Sequence, residues 1–217
     1  MGVEGEWRSN ARRRVILLYG AALLGILVPP TLARAQPAAS VEALSSDLGA
    51  AQRAHLWRVG AWGAANVAAG TALLLVSDPD GRPGRRAFGL QAGAWGAINV
   101  AIAAAGLVGE PGDPSTALAD AVRAENGYAD ILLLNLGLNV GYMAVGGTLL
   151  AVSGRGVANP DAWRGHGSAL VVQGLGLLVL DGVAALGSRA RLDALVDLAG
   201  AATIAPVPKG LVLVVPL

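Results

Sequence analysis

The residue with the most evident chemical potential is an acid inside an apolar run. Asp181 lies fourteen residues after Gly167 and is the one charged residue of the stretch 167–187. In a helix this separation corresponds to roughly 21 Å. A charge in hydrocarbon costs at least about 2.5–3.5 kcal/mol, so such residues generally face neighbouring helices and have a partner there. Asp181 is therefore a candidate proton or ligand site, or else a structural tie or an interfacial acid, and these interpretations stay open.

Polar residues on other apolar runs supply candidate partners for this acid. Arg58 and Trp62 are four residues apart, as are Asn135 and Asn139, so in helices each pair shares one face. The long stem of Arg58 would let its guanidinium reach inward, and the two asparagines either line a cavity or tie helices together. Gln173 lies nearer the opposite end of its run and is expected to be separate. We predict that Arg58, Trp62, Asn135, Asn139 and Asp181 form a polar cluster in the outer half of the predicted membrane spans.

Motifs for other chemistry are missing from the sequence. The chain has no cysteine, which excludes disulfides and thiolate metal sites. His55 and His166 fall at opposite ends of the apolar runs, so they cannot form one metal site. The segment GHGSA at 165–169 lacks the G-x-S-x-G spacing of a nucleophile elbow, and no complete dinucleotide or phosphate loop occurs. We expect a protein that is not an enzyme and has no catalytic residue, metal or cofactor.

A nine-residue phrase occurs twice. GAWGAANVA spans 60–68 and GAWGAINVA spans 93–101, with eight identical letters. Because consecutive membrane helices run in opposite directions, Asn66 and Asn99 should both lie near the midplane, each roughly 15 Å from a membrane face. We predict that these asparagines tie the first two helices by a side-chain hydrogen bond, which contributes on the order of 0.6–2 kcal/mol. The alternative, that the repeat builds a transport site, also stays open.

Small residues form two rows that suit close helix packing. Four of them lie at intervals of four on the second apolar run, and Gly137 and Gly141 form a GxxxG pair on the third. Such rows let helix backbones approach each other in lipid. They fit contacts within the chain as well as contacts with a second copy or another membrane protein. The row on the second run consists of Gly89, Gly93, Ala97 and Ala101.

Composition indicates a membrane protein. Of the 217 residues, 54% are hydrophobic and only 14% are charged, whereas soluble domains carry about 25% charged residues. The net charge of +1 gives no footprint for nucleic acid. Four runs have the length of a spanning helix, and lipid requires such runs to be helical. We predict an all-α integral membrane four-helix bundle, with the bilayer as its partner, whose spans are 56–76, 88–108, 131–152 and 167–187.

The N-terminus and the connectors predict an orientation. Residues 1–35 have the arginines, apolar stretch and Ala-x-Ala site of a signal peptide. Connectors 77–87 and 153–166 are rich in arginine, whereas 109–130 is acidic, so the positive-inside rule places the first two in the cytoplasm. Arg189 and Arg191 are exceptions to the rule.

The abundance of Ala, Gly, Leu and Val is typical of a GC-rich bacterial source. We predict a bacterial inner-membrane location with the N- and C-terminal segments on the periplasmic side.

Three short segments are expected outside the spanning bundle of residues 56–187. The external segment 36–55 should contain a helix at 40–55 that begins at an N-cap, Ser40. Residues 113–125 should form a second helix with Pro114 in its first turn. The external segment 188–217 should hold an amphipathic helix at 191–202, followed by an apolar tail.

Several motifs together resemble a known family. They are the Trp-x-x-x-Asn pattern in the first two spans, NLGLNVGY at 135–142 and VVQGLGLLVLDG at 171–182. This set is similar to a bacterial domain-of-unknown-function family of small four-helix membrane proteins. The resemblance covers roughly residues 50–187 and implies a four-helix membrane bundle without an assigned activity. We therefore expect a non-enzymatic structural or partner-binding bundle. The alternative is the binding or transport of a small solute or proton through the cluster around Asp181.

Overall fold

In the part of the chain that the structure describes, the protein is a bundle of four long helices followed by a short antiparallel hairpin. Its computed structural model describes residues 40–78, 80–109, 112–201, 203–207 and 210–214. The predicted all-α bundle is confirmed, while the predicted signal peptide at 1–35 lies outside the described residues. The helices are α1 Val41–Leu75, α2 Pro83–Val108, α3 Leu118–Val152 and α4 Pro160–Ala201, and the strands are β1 Thr203–Val207 and β2 Gly210–Val214.

Three of the helices continue well beyond the predicted spans. The helix at 40–55 is not separate but forms the first half of α1, and the segment at 191–202 likewise continues α4 as far as Ala201. The prediction of separate short helices was wrong. The hydropathy of these segments is lower than that of the spans, but the helices continue through them without a break. No proline interrupts α1, α3 or α4 after the first residue. Buried Leu48 and Leu195 show that packing also continues along the extensions.

The ends of α1 and α3 show how local hydrogen bonds set the boundaries. The Ser40 hydroxyl accepts the backbone N–H of Ala43 at 3.1 Å, which confirms the predicted N-cap. α3 begins at Leu118 rather than near Pro114. Before it, the Ser115 hydroxyl accepts the N–H of Ala117 at 3.1 Å, and the backbone N–H of Ser115 donates to the hydroxyl of Ser45 at 2.9 Å. These bonds hold the connector against α1 in a non-helical conformation.

α4 is the central helix of the bundle. α1 packs against α2 and α3 against α4, each pair forming an antiparallel hairpin. α4 also contacts α1 and α2, whereas α1 and α3 touch only slightly. The side chains that form the interior therefore project from α4 toward the other three helices.

The two copies of the repeated phrase pack against each other. A β-carbon placed on Gly63 would lie 2.6 Å from the carbonyl oxygen of Gly96, and one on Gly96 would lie 2.5 Å from that of Gly63. Each glycine also faces the β-carbon of the asparagine on the other helix, Asn99 or Asn66. The contact is thus reciprocal, and it is close because neither helix carries a side chain at the crossing.

The predicted rows of small residues are only partly used. Gly89 is buried against α1, but Ala97 and Ala101 are exposed. Gly137 and Gly141 are also exposed, and β-carbons on them would meet nothing within 4 Å. The predicted row assumed constant intervals of four, whereas from Gly89 onward the buried positions follow alternating intervals of three and four along the helix. The buried line on α2 is Ala87, Gly89, Ala92, Gly96, Asn99 and Ala103.

Three helices are long and apolar enough to cross a membrane. They are α2, α3 and the part of α4 from Pro160 to Gly200. α1 is not among them although residues 56–76 were predicted to span. Arg58, Asn66 and the many small residues lower its hydropathy, while its close packing on α2 replaces contact with lipid on one side.

Candidate functional site

Asp181 lies at the centre of a buried polar contact between three helices. One carboxylate oxygen, Oδ1, is 3.0 Å from Nε2 of His55 on α1. The other, Oδ2, accepts a hydrogen bond of 2.6 Å from Nδ2 of Asn139 on α3. Asp181 is 3% exposed, and both partners are also buried. The carboxylate is therefore out of solvent with both of its oxygens engaged.

Helical periodicity brings these three side chains together. On α1 the buried positions include Leu48, His55, Val59 and Trp62, which are separated by seven, four and three residues. On α3 they include Leu132, Asn139 and Gly146 at intervals of seven. Such spacings keep residues on one face of a helix. The acid and its partners occupy core positions that an apolar residue would otherwise fill.

His55, rather than Arg58, is the residue of α1 that contacts Asp181. Arg58 is half-buried and makes no ion pair with Asp181, so this part of the predicted cluster was wrong. His55 lies one turn before Arg58, on the face of α1 that turns toward α4. Asn135 is half-buried and forms no side-chain hydrogen bond with the described residues. Of the predicted set, the structure joins Asn139 directly to Asp181.

Trp62 belongs to a neighbouring contact. Its indole Nε1 donates a hydrogen bond of 3.1 Å to Oε1 of Gln173 on α4, and its ring packs against Gly176. The indole is fully buried. Gln173 was predicted to be separate from the cluster, but it is the partner of Trp62. Trp95, the counterpart of Trp62 in the repeat, packs elsewhere, with its ring centroid 4.7 Å from that of Tyr142 on α3.

The predicted hydrogen bond between Asn66 and Asn99 is not formed. Asn66 instead donates from Nδ2 to the carbonyl oxygen of Trp62, one turn earlier in α1, at 2.7 Å. Its Oδ1 and the Nδ2 of Asn99 are buried without a hydrogen-bond partner among the described residues. A side-chain bond to a carbonyl of the same helix competes with a bond between helices. The two asparagines are buried at the crossing, but glycine packing makes the contact.

A second buried ionic contact was not predicted. Glu125 on α3 accepts two hydrogen bonds from Arg191 on α4, at 2.8 and 2.9 Å, and one from the hydroxyl of Ser188 at 2.6 Å. Glu125 is 1% exposed. Glu125 and Arg191 were expected in separate external segments, so their pairing was not predicted. Glu125 has the helical spacing of the buried residues Ala121, Tyr128 and Leu132 on α3, and this spacing is a signal that could have predicted its burial.

Four polar residues of α4 that contact side chains of α1 and α3 lie along one face of the helix. The first and the last are separated by eighteen residues, or roughly 27 Å. Their partners come from α1 and α3, and Tyr128 lies within electrostatic range of both Asp181 and Glu125. The line therefore joins three helices at successive depths. It consists of Gln173, Asp181, Ser188 and Arg191.

Two apolar grooves lie on the described surface, and Ser188 lines one of them. One apolar groove runs between α1 and α2 near Val67 and Val100, and another runs between α3 and α4 near Leu133 and Leu186. Asp181 lines neither groove. Within the described residues, no three His, Asp or Glu side chains are placed to hold a metal ion. The arrangement can carry charge–charge and hydrogen-bond contacts between helices.

Comparisons with known proteins give one match. No curated protein and no solved structure matches the chain. Residues 58–182 match a family of unknown function, DUF6992, and the matched part begins at Arg58, passes through α2 and α3, and ends just after Asp181. Because this match covers more than half of the 217 residues, the chain belongs to the family of unknown function DUF6992.

Proposed function

We propose that the protein is a non-enzymatic integral membrane bundle with a structural or partner-binding role. The observation that carries this proposal is the state of Asp181, whose two oxygens are taken up by His55 and Asn139. A carboxylate that contacts α1 through one oxygen and α3 through the other ties three helices together. The bundle thus uses its buried polar groups for its own cohesion.

α2 supports a specific placement in the bilayer. Its Gly84 packs against the backbone of Asp161, and its Gly106 packs against Leu56. These two contacts are separated by roughly 33 Å along α2, close to the ≈30 Å thickness of a hydrocarbon core. Exposed tryptophans lie next to both levels, Trp163 at one and Trp57 at the other. Tryptophan favours the membrane interface, so we assign these levels to the two membrane faces, with α1 spanning beside α2.

This placement puts the contact of Asp181 with His55 near one membrane face. The parts of α1, α3 and α4 beyond that level then form an extramembrane extension of three helices. By the positive-inside rule, the extension lies on the periplasmic side of an inner membrane, and the arginine-bearing connectors lie in the cytoplasm. Of the two arginines that are exceptions to the rule, Arg191 is paired with Glu125. Arg189 is then the exception without an ion pair among the described residues.

The substitution Asp181→Asn tests the structural role of this contact. We expect it to lower the free energy of unfolding by about 1–3 kcal/mol, because His55 is left buried without its charged partner. Thermal and denaturant unfolding of the purified protein in detergent would measure the change. Asp193→Asn, at an exposed position of α4, is the matched control and should have almost no effect.

A second candidate function is favoured by the imidazole of His55. Its Nδ1 is buried without a hydrogen-bond partner among the described residues, so His55 and Asp181 together are candidates for binding a proton or a small polar solute. This function predicts that Asp181→Asn leaves stability unchanged but removes a titrating proton from the protein. That result would contradict the structural proposal.

A further inference from the structure

One end of the bundle carries arginines that the described protein leaves uncompensated. Arg82, Arg85 and Arg86 lie at the N-terminus of α2, and Arg155 lies in the connector between α3 and α4. All four side chains are exposed, and none forms an ion pair with a described residue. Because the helices alternate in direction, both segments lie at the same end. We call these four residues the basic surface.

The acids at this end are engaged elsewhere or outnumbered. The carboxylate of Asp78 accepts the backbone N–H groups of Asp80 and Gly81, at 3.3 and 3.2 Å, and so stabilises the turn before α2. Asp161 pairs with Arg164 at 3.2 Å. Five arginines against three aspartates in these two connectors leave an excess of positive charge. The connector at the opposite end is acidic, so charge separates along the bundle axis.

The three arginines at the N-terminus of α2 lie at a defined depth. Arg82 is the N-cap, with a non-helical backbone, and Arg85 and Arg86 lie in the first turn of the helix, so all three are within five residues of one another at this terminus. Arg82 supplies no side-chain cap to α2, so the partial positive charge of the helix terminus adds to theirs. Next to them, Gly84 packs against the backbone of Asp161 at the level that Trp163 marks. The guanidinium groups therefore lie where the headgroup layer begins.

We propose that the basic surface binds the headgroups of anionic phospholipids in the leaflet on its side; this inference rests on the proposed placement in the membrane. A guanidinium group donates paired hydrogen bonds to phosphate oxygens. A zwitterionic headgroup presents an ammonium group together with its phosphate, whereas an anionic headgroup leaves the phosphate charge uncompensated. The separation of basic and acidic ends would then hold the bundle at a fixed depth and direction in the bilayer.

The experiment compares two lipids and two matched double variants of the full chain. The protein, purified in detergent, is titrated with phosphatidylglycerol or phosphatidylcholine while thermal unfolding is followed. We expect phosphatidylglycerol to raise the melting temperature more than phosphatidylcholine does, and high salt to remove the difference. Arg85→Gln/Arg86→Gln should weaken the apparent affinity for phosphatidylglycerol by at least about fivefold. Arg123→Gln/Arg189→Gln, at the acidic end, should leave it unchanged.

Three outcomes would overturn the inference. They are an equal response to both lipids, an equal loss in both double variants, and a preference for phosphatidylglycerol that persists at high salt. Arg85→Lys/Arg86→Lys keeps both charges but not the paired hydrogen bonds of the guanidinium groups, so it should weaken the preference less than Arg85→Gln/Arg86→Gln does, and an equal loss in the two would also contradict the inference. Alkaline extraction of membranes distinguishes a failure of the proposed lipid binding from a failure of the proposed membrane placement. If the wild-type protein is extracted, the membrane placement itself is wrong.

Discussion

At the scale of single residues, two buried acids connect the helices in different surroundings. Asp181 contacts an imidazole and an amide, whereas Glu125 contacts a guanidinium through two hydrogen bonds and a hydroxyl through one. Desolvation of an ion pair offsets much of its Coulomb attraction, so neither contact need add much net stability. Removing one partner is costly, however, because the other charge remains buried. Each acid is thus a position at which a small chemical change has a large effect.

Glu125→Gln should be strongly destabilising. The substitution leaves Arg191 charged, 13% exposed at its side chain, and without its anion, which costs about 3–5 kcal/mol in comparable buried pairs. Chemical unfolding of the purified protein would measure the loss. Asp120→Asn breaks the exposed pair with Arg123 and should cost at most about 1 kcal/mol. Equal effects of the two substitutions would show that Glu125 is not a buried ionic partner in the folded protein.

At the scale of elements, the crossing of α1 and α2 depends on missing side chains. Gly63 and Gly96 each face a backbone carbonyl of the other helix, so the distance between the helices is limited by main-chain atoms. The GxxxG pair of α3 has the same sequence pattern, but both glycines face outward. The pattern alone therefore does not distinguish a contact within the chain from an open surface.

Gly63→Ala should separate the two helices. Its β-carbon would lie 2.6 Å from the carbonyl oxygen of Gly96, which the backbone can relieve only by moving. We expect a loss of about 1–3 kcal/mol, the usual range for overpacking, visible as a lower melting temperature. Gly141→Ala meets open space and should be neutral or stabilising in the monomer, because alanine favours helix by roughly 0.5–1 kcal/mol over glycine. A destabilised Gly141→Ala variant would reveal a contact of α3 with another copy.

At the scale of the whole molecule, the helices are longer than a bilayer is thick. α3 and α4 have 35 and 42 residues, or roughly 52 and 63 Å, against ≈30 Å of hydrocarbon. α2, with 26 residues, is the shortest helix. The excess length of α1, α3 and α4 accumulates at one end, where it carries the contact between Glu125 and Arg191. The bundle is therefore asymmetric about the proposed membrane.

The predicted orientation can be measured with single cysteines, since the chain has none. Asp113→Cys, in the acidic connector, should react with a membrane-impermeant maleimide in intact cells. Arg155→Cys, in the arginine-bearing connector between α3 and α4, should react only after the membrane is opened. The positive-inside rule gives this expectation. The reverse labelling pattern would place the three-helix extension in the cytoplasm.

The sequence allowed the helical class, three of the four predicted spanning segments and the crossing of the repeated phrase to be predicted, because each depends on local composition or spacing. The ends of the helices could not be derived from hydropathy, since α1, α3 and α4 continue until a cap or loop stops them. The partners in the core were harder to predict. Glu125 and Arg191 are 66 residues apart, and His55 stood at the edge of a predicted span. Which side chains meet across helices depends on helix rotation, which no local spacing specifies.

The polar face of α4 also constrains the order in which the molecule can be assembled. Its residues find their partners on α1 and α3, which are synthesised earlier. The side chains of His55 and Glu125 therefore lack their partners on α4 until the fourth helix has been synthesised. Packing of α4 then supplies the contact of His55 with Asp181 and the hydrogen bonds of Glu125 with Ser188 and Arg191. A chain arrested before α4 would leave His55 near the proposed membrane face, and Glu125 in the extension, without the partners that α4 supplies.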